Sequence, residues 1–265
     1  TLGDIHRNWE KVFSSDRSSV ARVAMFVGDY PVHSRAIDGY VGRLYYLQEY
    51  VRSMLSQSGV AYDVYRMADL PKVADHYQVF IFPCAYALTD SERQSINALK
   101  NKNHLLVFGP AAGFVNDSVS SLDNVASLTG MQLTRDDKLP FTVKWRDDNP
   151  LIKDVSGYIG SEEDSVDFPV FSVSDPKAVS LANYMGHPDS SGIAYKDLGD
   201  WQSIYIGALG LYPPQLWRGI AALKKIPIYS SDGDPLWADK SLVAVQASWD
   251  CIHTINLPQK SQVTD

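Results

Sequence analysis

The chain has 265 residues, of which 45% are hydrophobic and 21% charged, and its formal net charge is -7. These values predict a globular protein with one large domain, or one domain with a small appendix. The acidic balance, without any cluster of Lys and Arg, disfavours a nucleic-acid-binding protein, since phosphate contacts need clustered cations. No apolar run approaches the roughly 20 residues of a membrane-spanning helix, so no membrane partner is expected.

The first part of the chain alternates short apolar runs with amphipathic segments. Residues 1–19 are predicted to form a lead-in helix or linker, and residues 20–29 a buried strand. Residues 40–59 carry apolar side chains at helical spacing and end in a glycine, which is typical of a helix C-terminus. Two further strands are predicted at residues 60–67 and 77–85.

A capping box marks the start of the next helix. Thr89 can accept a hydrogen bond from the backbone N–H of Glu92, whose carboxylate can accept one from the N–H of Thr89. A strand at residues 104–109 and a helix at residues 120–130 follow. Strands that alternate in this way with amphipathic helices predict an α/β fold, with a mainly parallel sheet covered by helices on both faces.

The second half of the chain is less regular. Three strands, predicted at residues 177–185, 191–199 and 202–210, suggest a meander. A helix follows, with proline at its start and lysines at its end. Near the C-terminus, residues 241–248 and 251–258 suggest a hairpin-like pair of strands. We therefore divide the chain into a lead-in over residues 1–19, an α/β domain over residues 20–227, and a small β appendix over residues 228–265.

The turn after the strand at residues 104–109 is where many α/β enzymes carry their nucleophile. Such a turn needs Ser, Cys or Asp, with nearby N–H groups that form an oxyanion hole. This chain has Gly109, Pro110, Ala111, Ala112 and Gly113 there. None of these side chains can attack a carbonyl, and Pro110 has no N–H to offer. The sequence predicts a structural turn.

Cys84 is the weak alternative for a nucleophile, because it follows the apolar run "VFIFP" at residues 79–83. His33 would serve as its base, with Asp29 or Asp38 orienting the imidazole, as a cysteine-dependent hydrolase or amidotransferase requires. An isolated cysteine beside a strand is more often a small buried hydrophobe. Cys84 and Cys251 are the only cysteines, which permits one disulfide without arguing for it, and the cysteines indicate no compartment.

The remaining candidates concern ligands. The histidines show no metal-ligand spacing and no GxGxxG follows the first strand, so no metal or cofactor is expected. Trp and Tyr are plentiful and could stack on sugar rings, although they more often fill cores and subunit interfaces. A sugar-binding module would use loop residues that carry polar or aromatic side chains, namely His33, Arg35, Asp38, Tyr86 and Asn116.

Residues 20–133 resemble the middle domain of family-42-type β-galactosidases, often called the trimerisation domain, which itself is similar to class I glutamine amidotransferases. The segments that carry the resemblance are "VAMFVGD", "YQVFIFPCAYALTDSE", "LKNKNHLLVFGPAAGF" and "LTGMQL". The resemblance implies an amidotransferase-like, or flavodoxin-like, sheet. The tail from residue 228 onward is similar to the end of related glycosidase-like chains.

The resemblance limits the expected chemistry. The catalytic glutamates of those β-galactosidases lie on a preceding barrel, and the cysteine of amidotransferases belongs where residues 109–113 stand here. We expect a non-catalytic accessory or oligomerisation domain of a glycoside hydrolase. Its partners would be other copies of the chain, an upstream catalytic barrel or a carbohydrate. Because the chain begins with Thr1 and shows no signal peptide, we expect a mature chain or a piece of a longer protein.

Overall fold

The computed structural model describes residues 3–4, 9–10, 14–28, 40–117, 119–149, 151–160 and 170–259. The helices of this part of the chain are α1 (Tyr40–Ser56), α2 (Leu70–Val73), α3 (Asp90–Asn97), α4 (Leu122–Thr129) and α5 (Pro214–Leu223). Its strands, in chain order, are β1 (Val23–Val27), β2 (Tyr62–Arg66), β3 (Val79–Phe82), β4 (Ala87–Leu88), β5 (Leu105–Phe108), β6 (Val115–Asn116), β7 (Val119–Ser120), β8 (Leu133–Arg135), β9 (Val143–Trp145), β10 (Tyr158–Ile159), β11 (Phe171–Val173), β12 (Val179–Tyr184), β13 (Ser191–Asp197), β14 (Gln202–Ile206), β15 (Leu236–Ala238) and β16 (Val243–Val245).

Five parallel strands form the core of the central sheet, in the order β14-β5-β3-β1-β2. Every residue of β3 and β5 is buried. Such uninterrupted apolar runs are expected where both faces of a parallel sheet are covered. The helices form two groups that suit this arrangement, since α1 contacts α5 while α3 contacts both α2 and α4. The predicted α/β class is confirmed.

The predicted helix ends are also present. Thr89 Oγ1 accepts from the N–H of Glu92 at 3.3 Å, and Glu92 Oε2 accepts from the N–H of Thr89 at 2.9 Å, which completes the capping box of α3. Ser121 is the N-cap of helix α4, and its side chain accepts a hydrogen bond from the N–H of Asn124. It ends at Gly130, where φ is 71° and only glycine avoids a Cβ penalty.

Antiparallel strands extend the parallel core, so the central sheet is mixed, with its parallel part as predicted. Beyond β14 the order continues β13-β12-β9-β10, and each of these pairs is antiparallel. The reason is connectivity: β12, β13 and β14 follow one another through short turns, and a parallel pair would need a long crossover. The predicted meander over residues 177–210 is therefore confirmed, and it is what limits the parallel part of the sheet.

The C-terminal hairpin differs from the prediction. It pairs β15 with β16, whereas residues 251–258 form no strand in the described part of the chain. The prediction overlooked the turn at Asp239, whose Oδ1 accepts from the N–H groups of Ser241 and Leu242 at 2.8 Å each. An aspartate that bonds to backbone two residues onward is a turn former, which pins the hairpin one strand earlier than predicted.

The hairpin is attached to the N-terminal segment. The backbone of Ser19 forms a β-bridge with that of Asp239, and the side chain of Arg17 forms an ion pair with the Asp239 carboxylate. Asp16 accepts from Lys240 Nζ at 2.9 Å, and its carbonyl accepts from Ser241 Oγ at 2.7 Å. Of the predicted lead-in helix, only residues 3–4 and 9–10 are described as helical, and the rest of residues 1–13 lies outside the described residues. The domain boundaries remain a prediction.

One ion pair within the sheet has little contact with water. Lys196 Nζ lies 2.6 Å from Asp175 Oδ2 and 2.7 Å from the carbonyl oxygen of Gly130, and the two charged side chains are 14% and 6% exposed. Burial opposes ionisation of Asp175. Hydrogen bonds from Lys196 and from the backbone N–H groups of Lys177 and Gln132 outweigh that effect and lower the pKa of Asp175.

We expect Asp175→Asn to lower the free energy of unfolding at pH 7 by on the order of 3 kcal/mol, since it leaves Lys196 without a counter-charge. Because the folded-state pKa of Asp175 is lowered, its stabilisation is complete above the ordinary value of 3.8 and is lost as the pH falls through the folded-state value. The variant should therefore lose stability less steeply in acid. Urea unfolding between pH 3 and 7 measures both effects. Asp148→Asn, in an exposed ion pair with Arg146, is the control and should change little; equal losses in the two variants would contradict the prediction.

Candidate functional site

The turn after β5 is closed by backbone contacts with the end of β3. The N–H of Gly109 donates to the carbonyl of Phe82 at 2.9 Å, and the N–H of Gly113 donates to the carbonyl of Ala85 at 2.6 Å. A Cβ on Gly109 would lie 2.0 Å from the carbonyl oxygen of Pro83. Ala111 has φ of 50°, in the left-handed region, and the turn leads into β6. The turn is therefore tight, but it carries no side chain that could act as a nucleophile.

The interior of the turn is filled. Ala111 and Ala112 have no exposed surface. The N–H of Ala111 donates to the hydroxyl oxygen of Tyr205 at 3.1 Å, and Tyr205 comes from the neighbouring strand β14 with no exposed surface of its own. Burial raises the pKa of Tyr205, so its hydroxyl stays neutral. In a nucleophile elbow the N–H that faces an oxyanion belongs to the next residue, here Ala112, and it donates to the carbonyl of Gly109 at 3.3 Å.

Cys84 lies just after β3 and is 6% exposed. Burial raises the pKa of its thiol well above the ordinary 9.0, and a hydrogen-bonding interaction with Gln48 only partly opposes that shift. The thiolate is the reactive form of cysteine, so this environment disfavours a nucleophile. Cys84 forms no disulfide with Cys251. The other members of the predicted hydrolase site, Asp29, His33 and Asp38, lie outside the described residues, as does the ligand candidate Arg35.

Tyr86 and Asn116 are brought together by a small sheet in the order β4-β6-β7. The ring of Tyr86 packs against Phe114 with their centroids 5.9 Å apart. Asn116 Oδ1 accepts from Arg93 Nε at 3.0 Å, and Asn116 Nδ2 donates to Asp90 Oδ1 at 2.9 Å. Both the oxygen and the nitrogen of the Asn116 amide are thus hydrogen-bonded within the protein. The residue therefore has a structural role and is a less favourable ligand contact.

A thiol, an imidazole and a carboxylate meet on the C-terminal appendix, and the sequence analysis did not single them out. Cys251 Sγ lies 3.6 Å from His253 Nε2, and His253 Nδ1 lies 2.7 Å from Asp234 Oδ2. The spacing of Cys251 and His253 is visible in the sequence. Their proximity to Asp234 is not, because only the fold of the hairpin brings Asp234 close to them. Cys251 itself is exposed.

A groove of about 620 Å³ lies along β9, β10 and β12, at the end of the strand order formed by the described residues. Tyr158 and Met185 line it and are 58% and 51% exposed. Arg146 and Asp148 also line it, and they form a bidentate pair with distances of 2.9 Å and 2.7 Å. The groove therefore combines exposed apolar side chains with an organised polar pair at the edge of the described sheet.

Two further properties concern only the residues that the structure describes. In this part of the chain, no group of three or more His, Cys, Asp or Glu side chains is placed to hold a metal ion. None of its helices is both long enough and apolar enough to cross a membrane.

The comparisons with known proteins relate this fold to one class of enzyme. No family model matches the sequence, and no curated protein matches it. Solved β-galactosidases match in structure. The enzyme from Rahnella sp. R3 has a TM-score of 0.64 at 18% identity, over 89% of this chain and 36% of that chain. The enzyme from Bacillus circulans sp. alkalophilus has a TM-score of 0.63 at 16% identity, with the same coverage. A catalytic mutant of a GH42 β-galactosidase from G. stearothermophilus has a TM-score of 0.60 at 14% identity, over 91% of this chain and 35% of that chain.

These matches show a shared fold. The chain spans about a third of the length of the β-galactosidases that it matches. The predicted resemblance to this group of enzymes is therefore supported at the level of the fold. The amidotransferase-like label and the role of the chain belong to the proposals below.

Gly109→Ala tests the contact that closes the turn. We expect a loss of at least about 3 kcal/mol in the free energy of unfolding, because the new methyl group would overlap the Pro83 carbonyl. Gly28→Ala is the matched control: Gly28 follows β1, and its Cβ would lie 3.9 Å from the side chain of Met67. That variant should stay within about 1 kcal/mol of the parent. Chemical denaturation measures both, and a Gly109→Ala protein as stable as the control would refute the contact.

Tyr205→Phe tests whether the tyrosine hydroxyl is the hydrogen-bond acceptor of the Ala111 N–H. Removing the hydroxyl leaves the buried N–H of Ala111 without its acceptor, which should cost about 1–3 kcal/mol in the free energy of unfolding. Hydrogen exchange at Ala111 should also accelerate beyond what the loss of global stability explains. Tyr195→Phe, on the adjacent strand β13 with a partly exposed ring, is the control. Unchanged exchange at Ala111 in the Tyr205 variant would count against the bond.

Proposed function

We propose that this chain is an amidotransferase-like accessory domain of a glycoside hydrolase, that its sheet carries no catalytic residue, and that it serves in assembly. The observation that carries the proposal is the turn at residues 109–113. The turn is tight, with a left-handed backbone at Ala111, yet it holds no reactive side chain. Ala111 and Ala112 are buried, and their N–H groups are bonded to the Tyr205 hydroxyl and to the Gly109 carbonyl.

The comparisons support the glycoside hydrolase context. The β-galactosidases that share the fold are about three times as long as the matched region, so in them the same fold is one part of a larger chain. The partners that we propose are other copies of this chain and a catalytic barrel domain. Fold likeness alone does not transmit activity, which is why the proposal depends on the turn and not on the neighbours.

The edge of the described sheet supports an assembly role. Among the described residues, strand β10 stands last in the strand order and pairs with β9, while residues 161–169, which follow it, lie outside the described part of the chain. Tyr158 on this strand is 58% exposed, and Met185 beside it is 51% exposed. Large exposed apolar side chains that are grouped together commonly mark interaction surfaces. We therefore propose this edge, with the groove along it, as the assembly surface.

The second candidate function is sugar binding at the same groove. An exposed tyrosine ring can stack on a sugar, and the pair formed by Arg146 and Asp148 offers charged hydrogen-bonding groups beside it. The residues predicted for this role, Tyr86 and Asn116, are less favourable because Asn116 is already engaged by Arg93 and Asp90. The cysteine hydrolase built on Cys84 is disfavoured by the burial of that thiol.

We expect the purified chain to turn over neither nitrophenyl β-galactoside nor glutamine, and to self-associate as its concentration rises. Tyr158→Glu should weaken association at least about tenfold, because it places a charge on an apolar contact surface. Trp237→Glu is the control, since Trp237 on the C-terminal hairpin is also 58% exposed. Sedimentation velocity across a concentration series measures association.

The outcomes separate the candidates. A chain that stays monomeric at the highest concentration would end the assembly proposal, and measured turnover of either substrate would end the claim that the sheet carries no catalytic residue. Calorimetric titration with galactose and lactose addresses the second candidate. Heat that is present in the parent chain and absent in Tyr158→Glu would favour sugar binding, whereas a flat titration would remove it.

A further inference from the structure

The appendix holds a nucleophile, a base and a carboxylate in the order that thiol catalysis uses. Cys251 Sγ is 3.6 Å from His253 Nε2, and the opposite ring nitrogen, Nδ1, is 2.7 Å from Asp234 Oδ2. The side chain of Asp234 is 3% exposed and that of His253 is 19% exposed, while Cys251 is open to solvent. An imidazole oriented by a buried carboxylate next to an accessible thiol is the arrangement that activates a cysteine.

The carboxylate and the ring are both held in place. Asp234 Oδ1 accepts from the N–H of Ser248 at 2.9 Å, and this bond, with the charge of His253, lowers the pKa of Asp234. Asp232 Oδ2 accepts from the N–H of Thr254 at 2.8 Å. The segment that carries the thiol and the imidazole is thus hydrogen-bonded, at both of its ends, to the residues that precede β15. These backbone hydrogen bonds hold the three groups close together.

The ring of His253 lies among three polar groups. His253 Nε2 lies 3.1 Å from the carbonyl oxygen of Trp249 as well as close to the thiol, and Nδ1 faces the carboxylate of Asp234. The contact between Nδ1 and Asp234 is an ion-pair distance, and Nδ1 has no partner in hydrogen-bond geometry. Nε2, which lies close to the thiol, is the ring nitrogen placed to exchange a proton with Cys251 during a reaction.

We propose that Cys251, His253 and Asp234 form a thiol-dependent acyl-transfer site for activated acyl esters and thioesters. Cys251 is the nucleophile, His253 the acid and base, and Asp234 a positioning residue. Trp249 and Ile252 flank the thiol with side chains that are 77% and 94% exposed, which suits a donor with a short apolar acyl group. The inference rests on the appendix and does not depend on the proposed assembly role.

Water is the only co-reactant that the reaction needs besides the acyl donor. The thiolate attacks the acyl carbon, the new C–S bond forms as the C–O or C–S bond to the leaving group breaks, and the imidazolium returns its proton to the leaving group. Water then attacks the thioester while His253 accepts one of its protons. The C–S bond breaks, the carboxylic acid leaves, and the thiol and imidazole return to their starting state.

The test uses p-nitrophenyl butyrate and the whole chain. The parent should release one equivalent of nitrophenolate per chain in a burst, followed by slower turnover, and Cys251→Ala should abolish both phases. His253→Gln should slow acylation at least about 100-fold. Asp234→Asn keeps an oxygen for the N–H of Ser248 but removes the charge that faces Nδ1, and it should slow acylation at a temperature where circular dichroism shows the variant to be fully folded. Cys84→Ala, which removes the buried thiol, is the matched control and should react like the parent.

Alkylation by iodoacetamide gives a second readout that folding defects would not imitate. Modification at Cys251 should be faster than that of N-acetylcysteine at the same pH, and His253→Gln should bring it to the rate of an ordinary exposed thiol. The proposal fails if Cys251 reacts no faster than N-acetylcysteine, or if His253→Gln leaves both rates unchanged. Such a failure would not bear on the sedimentation result, which concerns a different surface.

Discussion

The architecture depends on how closely the chain can pack where the central strands end. At Gly109 the backbone after β5 comes so near the carbonyl of Pro83 that no side chain fits between them. This contact keeps β5 beside β3, and the two strands contribute an unbroken apolar layer to the core. It also fixes the shape of the turn that follows. The conformation of that turn is thus explained by packing, and no reaction is needed to account for it.

The same packing explains why the turn after β5 has no room for a reactive site. Ala111 adopts a left-handed conformation, at a cost of about 1–3 kcal/mol for a residue with a side chain. Tyr205 covers the N–H of this residue from the next strand. The space that a substrate would need is filled by protein, so restoring a reactive side chain at Ala111 would not by itself restore a site.

Much of the fold was predictable because its signals are local. The capping box at Thr89 and the apolar strands before and after it are each determined by residues that are close in sequence. All of them are present in the structure. The hairpin was misplaced because the decisive signal was a single aspartate, Asp239, whose turn bonds outweigh strand propensity further along the chain. The cover that Tyr205 provides, and the approach of Asp234 to His253, join residues far apart in sequence. No spacing rule reaches such pairs, since only the tertiary fold brings them together.

The attachment of the N-terminal segment to the hairpin has a mechanical consequence. Asp16, Arg17 and Ser19 are bound to Asp239 and its neighbours by a β-bridge, ion pairs and hydrogen bonds. A pull on the polypeptide ahead of residue 16 would load these bonds before it reached the central sheet. The hairpin would yield first, and the position of Asp234 relative to His253 would change with it. Tension applied ahead of residue 16 would therefore change the surroundings of the Cys251 thiol near the C-terminus.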